Sequence, residues 1–129
     1  MIGRFIIKKL KSGEYCFELR AGNGESIAMS QTFPTAEICE NIIDSIKRNA
    51  GAPVEDMTVS KRKAVTYPKF EIYKNLSGEF YFRLKSVSGD IIATSESYTS
   101  KSGCLKGIRS IGKNAPGANC VVIDDSTIL

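Results

Sequence analysis

The chain contains no histidine and no tryptophan. Histidine is the side chain most often used for general acid–base catalysis and for activating a serine or cysteine nucleophile, so the commonest hydrolytic and transfer chemistries have no residue to run on. The four cysteines, Cys16, Cys39, Cys104 and Cys120, show no C-x-x-C spacing. Without histidine a zinc site needs all four sulfurs to converge, so no metal and no cofactor is expected. No run approaches the ~20 apolar residues that span a bilayer, and Met1-Ile2-Gly3-Arg4 leads straight into strand-like sequence instead of a signal-peptide hydrophobic region. The expectation is a cytoplasmic protein without a membrane partner.

A dominant charge is missing as well. The net charge is +4, with ten Lys/Arg against eight Asp/Glu in residues 1–64 and eight against six in residues 65–129. That is far from the dense basic footprint of a dedicated nucleic-acid binder. Phosphate-loop and dinucleotide fingerprints are lacking too, because the glycines sit at hairpin corners and not between a strand and a helix. These absences together argue against an enzyme.

What is present is a duplication. Shifted by 65 positions, residues 5–50 lie over residues 70–115 without a gap, and eighteen of the forty-six pairs are identical. Most identical pairs are apolar or turn residues, among them Phe5/Phe70, Phe17/Phe82, Leu19/Leu84, Gly24/Gly89, Cys39/Cys104 and Ile43/Ile108. Each copy is one supersecondary unit that needs a neighbour to bury its apolar face. Copy one is placed over 1–60 and copy two over 66–129, forming one intertwined globular unit. At 129 residues, 42% hydrophobic and 25% charged, the composition is that of an ordinary single domain.

Within each copy the pattern changes once. Strands are predicted over 4–9, 15–20 and 26–31, and over 69–74, 80–85 and 90–96, with Tyr15, Phe17 and Leu19 or Phe80, Phe82 and Leu84 alternating with polar residues. Ser12-Gly13, Gly22-Asn23-Gly24, Ser77-Gly78 and Ser88-Gly89 close the turns. The period then lengthens to about 3.6, with Ile38, Cys39, Ile42, Ile43 and Ile46, or Cys104, Leu105, Ile108 and Ile111, on one helical face. Thr35 and Ser100 are expected to cap the helix starts, and Asn49 and Asn114 to cap the ends in the left-handed conformation that asparagine tolerates. The apolar stretches 57–59 and 120–123 read as a fourth strand in each copy. Residues 60–68 form a linker with a solvated basic run, Lys61-Arg62-Lys63. Its nine residues reach ~30 Å at most, which keeps the copies adjacent.

The second copy contains Gly78-Glu79-Phe80-Tyr81-Phe82-Arg83-Leu84-Lys85 and Gly89-Asp90-Ile91-Ile92-Ala93-Thr94-Ser95-Glu96-Ser97-Tyr98, followed by Gly107-Ile108-Arg109-Ser110-Ile111. In this it resembles the YegP-like family over nearly its whole length. The resemblance implies an α+β fold: a tandem duplication of a β3-α-β unit whose copies join in one antiparallel sheet with two helices and exchange their last strands, as single-copy relatives do by dimerising. It implies no activity. The chain departs from the family in lacking the middle-strand tryptophan, and copy one has Ser30-Gln31-Thr32-Phe33 where copy two has Ser95-Glu96-Ser97-Tyr98.

The helices differ in charge. Helix one holds Glu37, Glu40 and Asp44 early and Lys47 and Arg48 late, whereas helix two holds Lys101, Lys106, Arg109 and Lys113 and no acid. Positions 106, 109 and 113 follow one helical stripe. The expected function is a monomeric, non-catalytic interaction module of unknown partner, its cationic ridge a solvated face. Two alternatives stand beside it: the ridge binds an anionic protein surface, phospho-ligand or nucleic acid, or a pocket between helix and sheet near Ser95, Glu96 and Tyr98 serves a small-molecule enzyme or carrier. Gly103, Gly107 and Gly112 in the same helix are read as sites of close packing.

Overall fold

Alternating apolar residues and tight turns produce two three-stranded meanders. A computed structural model describes residues 2–60 and 62–124. The first meander is β1 (Arg4–Lys9), β2 (Tyr15–Arg20) and β3 (Ser26–Met29), followed by α1 (Ala36–Asn49) and β4 (Val54–Asp56). The second is β5 (Lys69–Lys74), β6 (Phe80–Lys85) and β7 (Ile91–Ser95), followed by α2 (Lys101–Asn114) and β8 (Asn119–Asp124). The β2–β3 and β6–β7 turns each need one residue at positive φ, supplied by Gly24 (+89°) and Gly89 (+86°).

All eight strands form one sheet in the order β4-β5-β6-β7-β3-β2-β1-β8. The copies meet where β3 pairs antiparallel with β7, Ala28 opposite Ser95 and Met29 opposite Thr94. Each last strand crosses to the other copy: β4 runs parallel to β5 and β8 parallel to β1. The strand exchange implied by the resemblance is therefore present. The sheet is antiparallel through its six central strands and parallel at both edges.

One face of this sheet is apolar and both helices lie on it. Phe5, Phe17, Phe70 and Phe82 are fully or almost fully buried there, Phe5 edge-on to Phe17 and Phe70 edge-on to Phe82 with ring centroids 6.0 and 5.7 Å apart. Cys39 and Cys104 are buried among them, as the periodicity requires. Burial pushes both thiols up to about 11, so they behave as small hydrophobes. α1 reaches across to β7 and α2 to β3, which joins the copies a second time. No helix among the described residues is long and apolar enough to cross a membrane.

The element ends differ from expectation for identifiable reasons. β3 stops at Met29, two residues early, because the Ser30 hydroxyl accepts the Phe17 N–H at 2.8 Å and donates to the Gln31 carbonyl. Ser95 does the same with Phe82 and Glu96 at the end of β7. Thr35 and Ser100 cap the helices as predicted, accepting from the Ile38 and Gly103 N–H groups. Asn49 and Asn114 do not adopt positive φ; each side-chain amide turns back to donate to the carbonyl one turn earlier, that of Ser45 or Ser110, at 2.9 Å.

The fourth strand of copy one is Val54–Asp56, not the more apolar 57–59. Its two acids find partners that a hydropathy pattern does not register. Glu55 Oε1 lies 2.6 Å from Lys69 Nζ, Glu55 Oε2 lies 2.7 Å from Arg62 Nε, and Asp56 Oδ2 lies 2.7 Å from Lys101 Nζ. Asp56 also accepts the Thr58 N–H, turning the chain out of the strand. Arg62 is thus held to a buried carboxylate and is no part of a free basic run, while Lys61 lies outside the described residues.

Candidate anion-binding trough

Strand exchange sets the helix of copy two beside a turn of copy one. Lys106, Arg109 and Lys113 are exposed on α2, and they line a depression of about 440 Å³ with the β2–β3 turn residues Ala21-Gly22-Asn23. None of the three takes part in an ion pair among the described residues. Ser110 and Asn114 form its floor, although the Asn114 amide is engaged by Ser110. Asn114 sits this deep because residue 3 is glycine: a Cβ there would lie 2.8 Å from the Asn114 Cβ and 2.8 Å from the Arg20 carbonyl.

A second depression, about 530 Å³, continues the first and shares Ala21, Asn23, Lys106 and Ser110 with it. Its remaining lining includes Glu25, Glu96, Tyr98, Gly103 and Gly107. Tyr98 is held by two backbone hydrogen bonds to Phe80 and stacks on Phe82 at 6.4 Å and 14°. Its ring occupies the space opposite Gly107, where a Cβ would lie 2.9 Å from Tyr98 Cζ and 3.0 Å from Phe82 Cε2. Gly103 lies against the same ring, and a Cβ on Gly112 would meet the Ala50 carbonyl at 3.3 Å, so the helix glycines do serve close packing. Burial first, then Cys104, Glu96 and Glu25, raises the Tyr98 phenol above its usual range, and it stays protonated at neutral pH.

The expected site residues are thus partly united. Lys106, Arg109 and Lys113 share one trough with Glu96 and Tyr98, so the cationic ridge and the helix–sheet pocket are two parts of one feature. Lys101 stands apart, paired with Asp56 and lying 5.6 Å over the Phe80 ring. Ser95 lines neither depression, and its hydroxyl is spent on the sheet. The sequence marks Asn23 only as a turn residue and gives no sign of Glu25, since nothing local places a copy-one turn beside a copy-two helix.

The equivalent trough, between α1 and the β6–β7 turn, is again two depressions, of about 680 and 520 Å³, and is differently furnished. Asn41 and Arg48 replace Lys106 and Lys113, Ile42 replaces Gly107, and Ser86-Val87-Ser88 replaces Ala21-Gly22-Asn23. Phe33 stands for Tyr98, Gln31 for Glu96 and Asp44 for Arg109.

The same duplicated pattern occurs in other proteins. A family model described as a domain of unknown function, DUF1508, matches residues 11–56 and again residues 76–121. The UPF0339 protein YegP of Yersinia pestis is 35% identical over 123 residues, which are 95% of this chain and 96% of its own. A UPF0339 protein of Treponema denticola is 56% identical over 55 residues, 43% of this chain but 95% of its own, and so matches a single copy. The solution NMR structure of YegP from E. coli, a protein of unknown function, aligns with a TM-score of 0.75 at 27% identity, covering 97% of this chain and 94% of that one. Two matched segments, one shared sheet and near-complete coverage place this chain in the UPF0339 family as a tandem of two DUF1508 domains.

Proposed function

We propose that the protein is a monomeric, non-catalytic binding module that takes an anionic ligand in the trough between α2 and the β2–β3 turn. The observation that carries this reading is the set of three exposed cations, Lys106, Arg109 and Lys113, which face a depression and no carboxylate within ion-pair distance among the described residues. Cations grouped around a concave, partly shielded surface attract an anion more strongly than the same charges spread over a convex one. The monomeric reading is supported by the strand exchange, because each copy already finds within the chain the partner that a single copy lacks. A non-catalytic role is supported by the absence of histidine and by the raised thiols of Cys39 and Cys104, which leave little thiolate near neutral pH.

The test is a titration with tripolyphosphate and with a single-stranded oligonucleotide at low and moderate salt. Replacing Lys106, Arg109 and Lys113 together by glutamate is expected to abolish binding, whereas Asn41→Glu with Arg48→Glu in the other trough leaves it unchanged. Affinity that falls steeply with salt agrees with counterion release from about three contacts. Binding indifferent to both the triple variant and salt rejects the reading.

A further inference from the structure

The trough has charges of both signs, and they do not neutralise one another. Glu25 and Glu96 line the larger depression and Arg109 and Lys113 the smaller, with Lys106 common to both. Among the described residues no ion pair joins any of these five side chains. The two acids come from different copies, one from the β2–β3 turn and one from the end of β7, and the antiparallel pairing of β3 with β7 brings both near the Tyr98 phenol, whose ionisation each of them opposes. The scaffold does not impose this. In the other trough the position of Glu96 is Gln31, and Asp90, at the position of Glu25, accepts a 2.9 Å hydrogen bond from Ser88.

A surface serving only to attract a polyanion gains nothing from two unpaired carboxylates at one end, since a phosphate placed there is repelled by both. We infer that the trough takes a zwitterion, with its ammonium group at the Glu25 and Glu96 end and its carboxylate or phosphate on Lys106, Arg109 and Lys113. This rests on the anionic reading and narrows it. The spacing follows from the helix: at ~1.5 Å per residue, Gly103 lies ~9 Å along the axis from Arg109 and ~15 Å from Lys113. An extended peptide advances ~3.3–3.6 Å per residue, so three or four residues, or an aminoalkyl phosphate of equal length, span the two ends. The planar guanidinium of Arg109 suits either anion because it donates two parallel hydrogen bonds. Between the ends, the Tyr98 hydroxyl opposite Gly107 makes no side-chain hydrogen bond among the described residues and is free to meet the ligand backbone.

The experiment titrates the full chain with tetra-alanine, N-acetyl-tetra-alanine, tetra-alanine amide and an aminoalkyl phosphate of matched length, read by NMR shifts of Glu25, Glu96, Tyr98 and Lys106. At least one free zwitterion is expected to bind, and which one binds identifies whether carboxylate or phosphate is the anion. Acetylating the amine or amidating the carboxylate is expected to weaken binding about tenfold, the loss of one charge-assisted contact. In the doubly substituted Glu25→Gln, Glu96→Gln chain the discrimination between free and acetylated amine disappears; both side chains are exposed, and a thermal melt verifies the fold. Equal affinity of wild type for the zwitterion that binds and for its N-acetylated form overturns the inference, as does silence toward every zwitterion. If tripolyphosphate still binds in that case, only the zwitterion falls; if it too fails, the anionic reading falls with it.

Discussion

The two troughs share a scaffold and differ in nearly every side chain that faces solvent. Ser110 and Ser45, Asn114 and Asn49, and Ser95 and Ser30 make the same hydrogen bonds in both copies. In a duplicated chain, then, a residue retained in both copies identifies a structural task common to both. A binding function confined to one copy has to be sought among the pairs that differ. Tyr98 with Gly107, against Phe33 with Ile42, is such a pair, and it is reciprocal: where the ring carries a hydroxyl the helix has no side chain, and where the ring is bare the helix has an isoleucine.

Exchanging these residues is the most disruptive way to test that reciprocity. Gly107→Ile places a branched side chain where even a Cβ meets the Tyr98 and Phe82 rings, and overpacking of this kind destabilises by about 1–3 kcal/mol. Adding Tyr98→Phe is expected to restore part of the loss, since the hydroxyl leaves but the ring remains. Ile42→Gly in the other trough costs about 2 kcal/mol from helix propensity and a half-buried side chain, and Phe33→Tyr does not repair it. Urea denaturation of the four single and two double variants measures the coupling. Additive effects in the Gly107 pair mean that the two positions do not constrain each other.

The copies also close differently at the sheet edges. Glu55 on β4 stands beside Glu71 on β5, whereas Val121 on β8 stands beside Ile6, the residue equivalent to Glu71. One edge is joined by ions and the other by apolar contact. Hydrogen bonds from Lys69 first, then Arg62 and the Val65 N–H, hold the Glu55 carboxyl at about 2 against an ordinary 4.5. A folded-state value below the unfolded one contributes stability that is complete above the unfolded value and is lost as pH falls through the folded one. Wild type is therefore expected to lose stability between pH 4.5 and about 2, and Glu55→Gln, weaker at neutral pH, to lose less over that window. Denaturant midpoints measured down the pH scale distinguish the two. Identical slopes would remove Glu55 from the account.

Most of the architecture was legible because it repeats. Period-two alternation, the change to a helical period and the caps at Thr35 and Ser100 each appear twice in equivalent places, and a pattern that agrees with itself resists chance. The misreadings fall where a side chain's partner, which no hydropathy pattern registers, decides the outcome. β4 looks too polar for a strand until Lys69, Arg62 and Lys101 are brought to its acids, and Asn49 looks like an ordinary helix stop until Ser45 is seen to hold it. The trough was half legible: the spacing of Lys106, Arg109 and Lys113 shows from the helical period, but Asn23 and Glu25 join them only through the exchanged topology.

Lys101 provides the finest division between scaffold and site, and the smallest effect. It is the first residue of α2 and belongs to the same acid-free helix as the ridge, yet its ammonium lies 2.7 Å from Asp56 on the exchanged strand. α1 holds the other exchanged segment with a lysine of its own, Lys47, which donates to the Ala118 carbonyl at 2.9 Å. Both contacts tie a helix to the partner copy's last strand or the residue just before it, and the Lys101–Asp56 ion pair is partly open to water, where such pairs contribute about 0–1 kcal/mol. Lys101→Met keeps the aliphatic stem over Phe80 and removes only the charge, so a fall in stability of less than about 1 kcal/mol is expected. Affinity for tripolyphosphate should be unaltered in that variant while Lys106→Met reduces it, although both lose one positive charge from one helix. Equal reductions would mean that the ligand responds to the total charge of α2, and the trough would lose its claim to be a site.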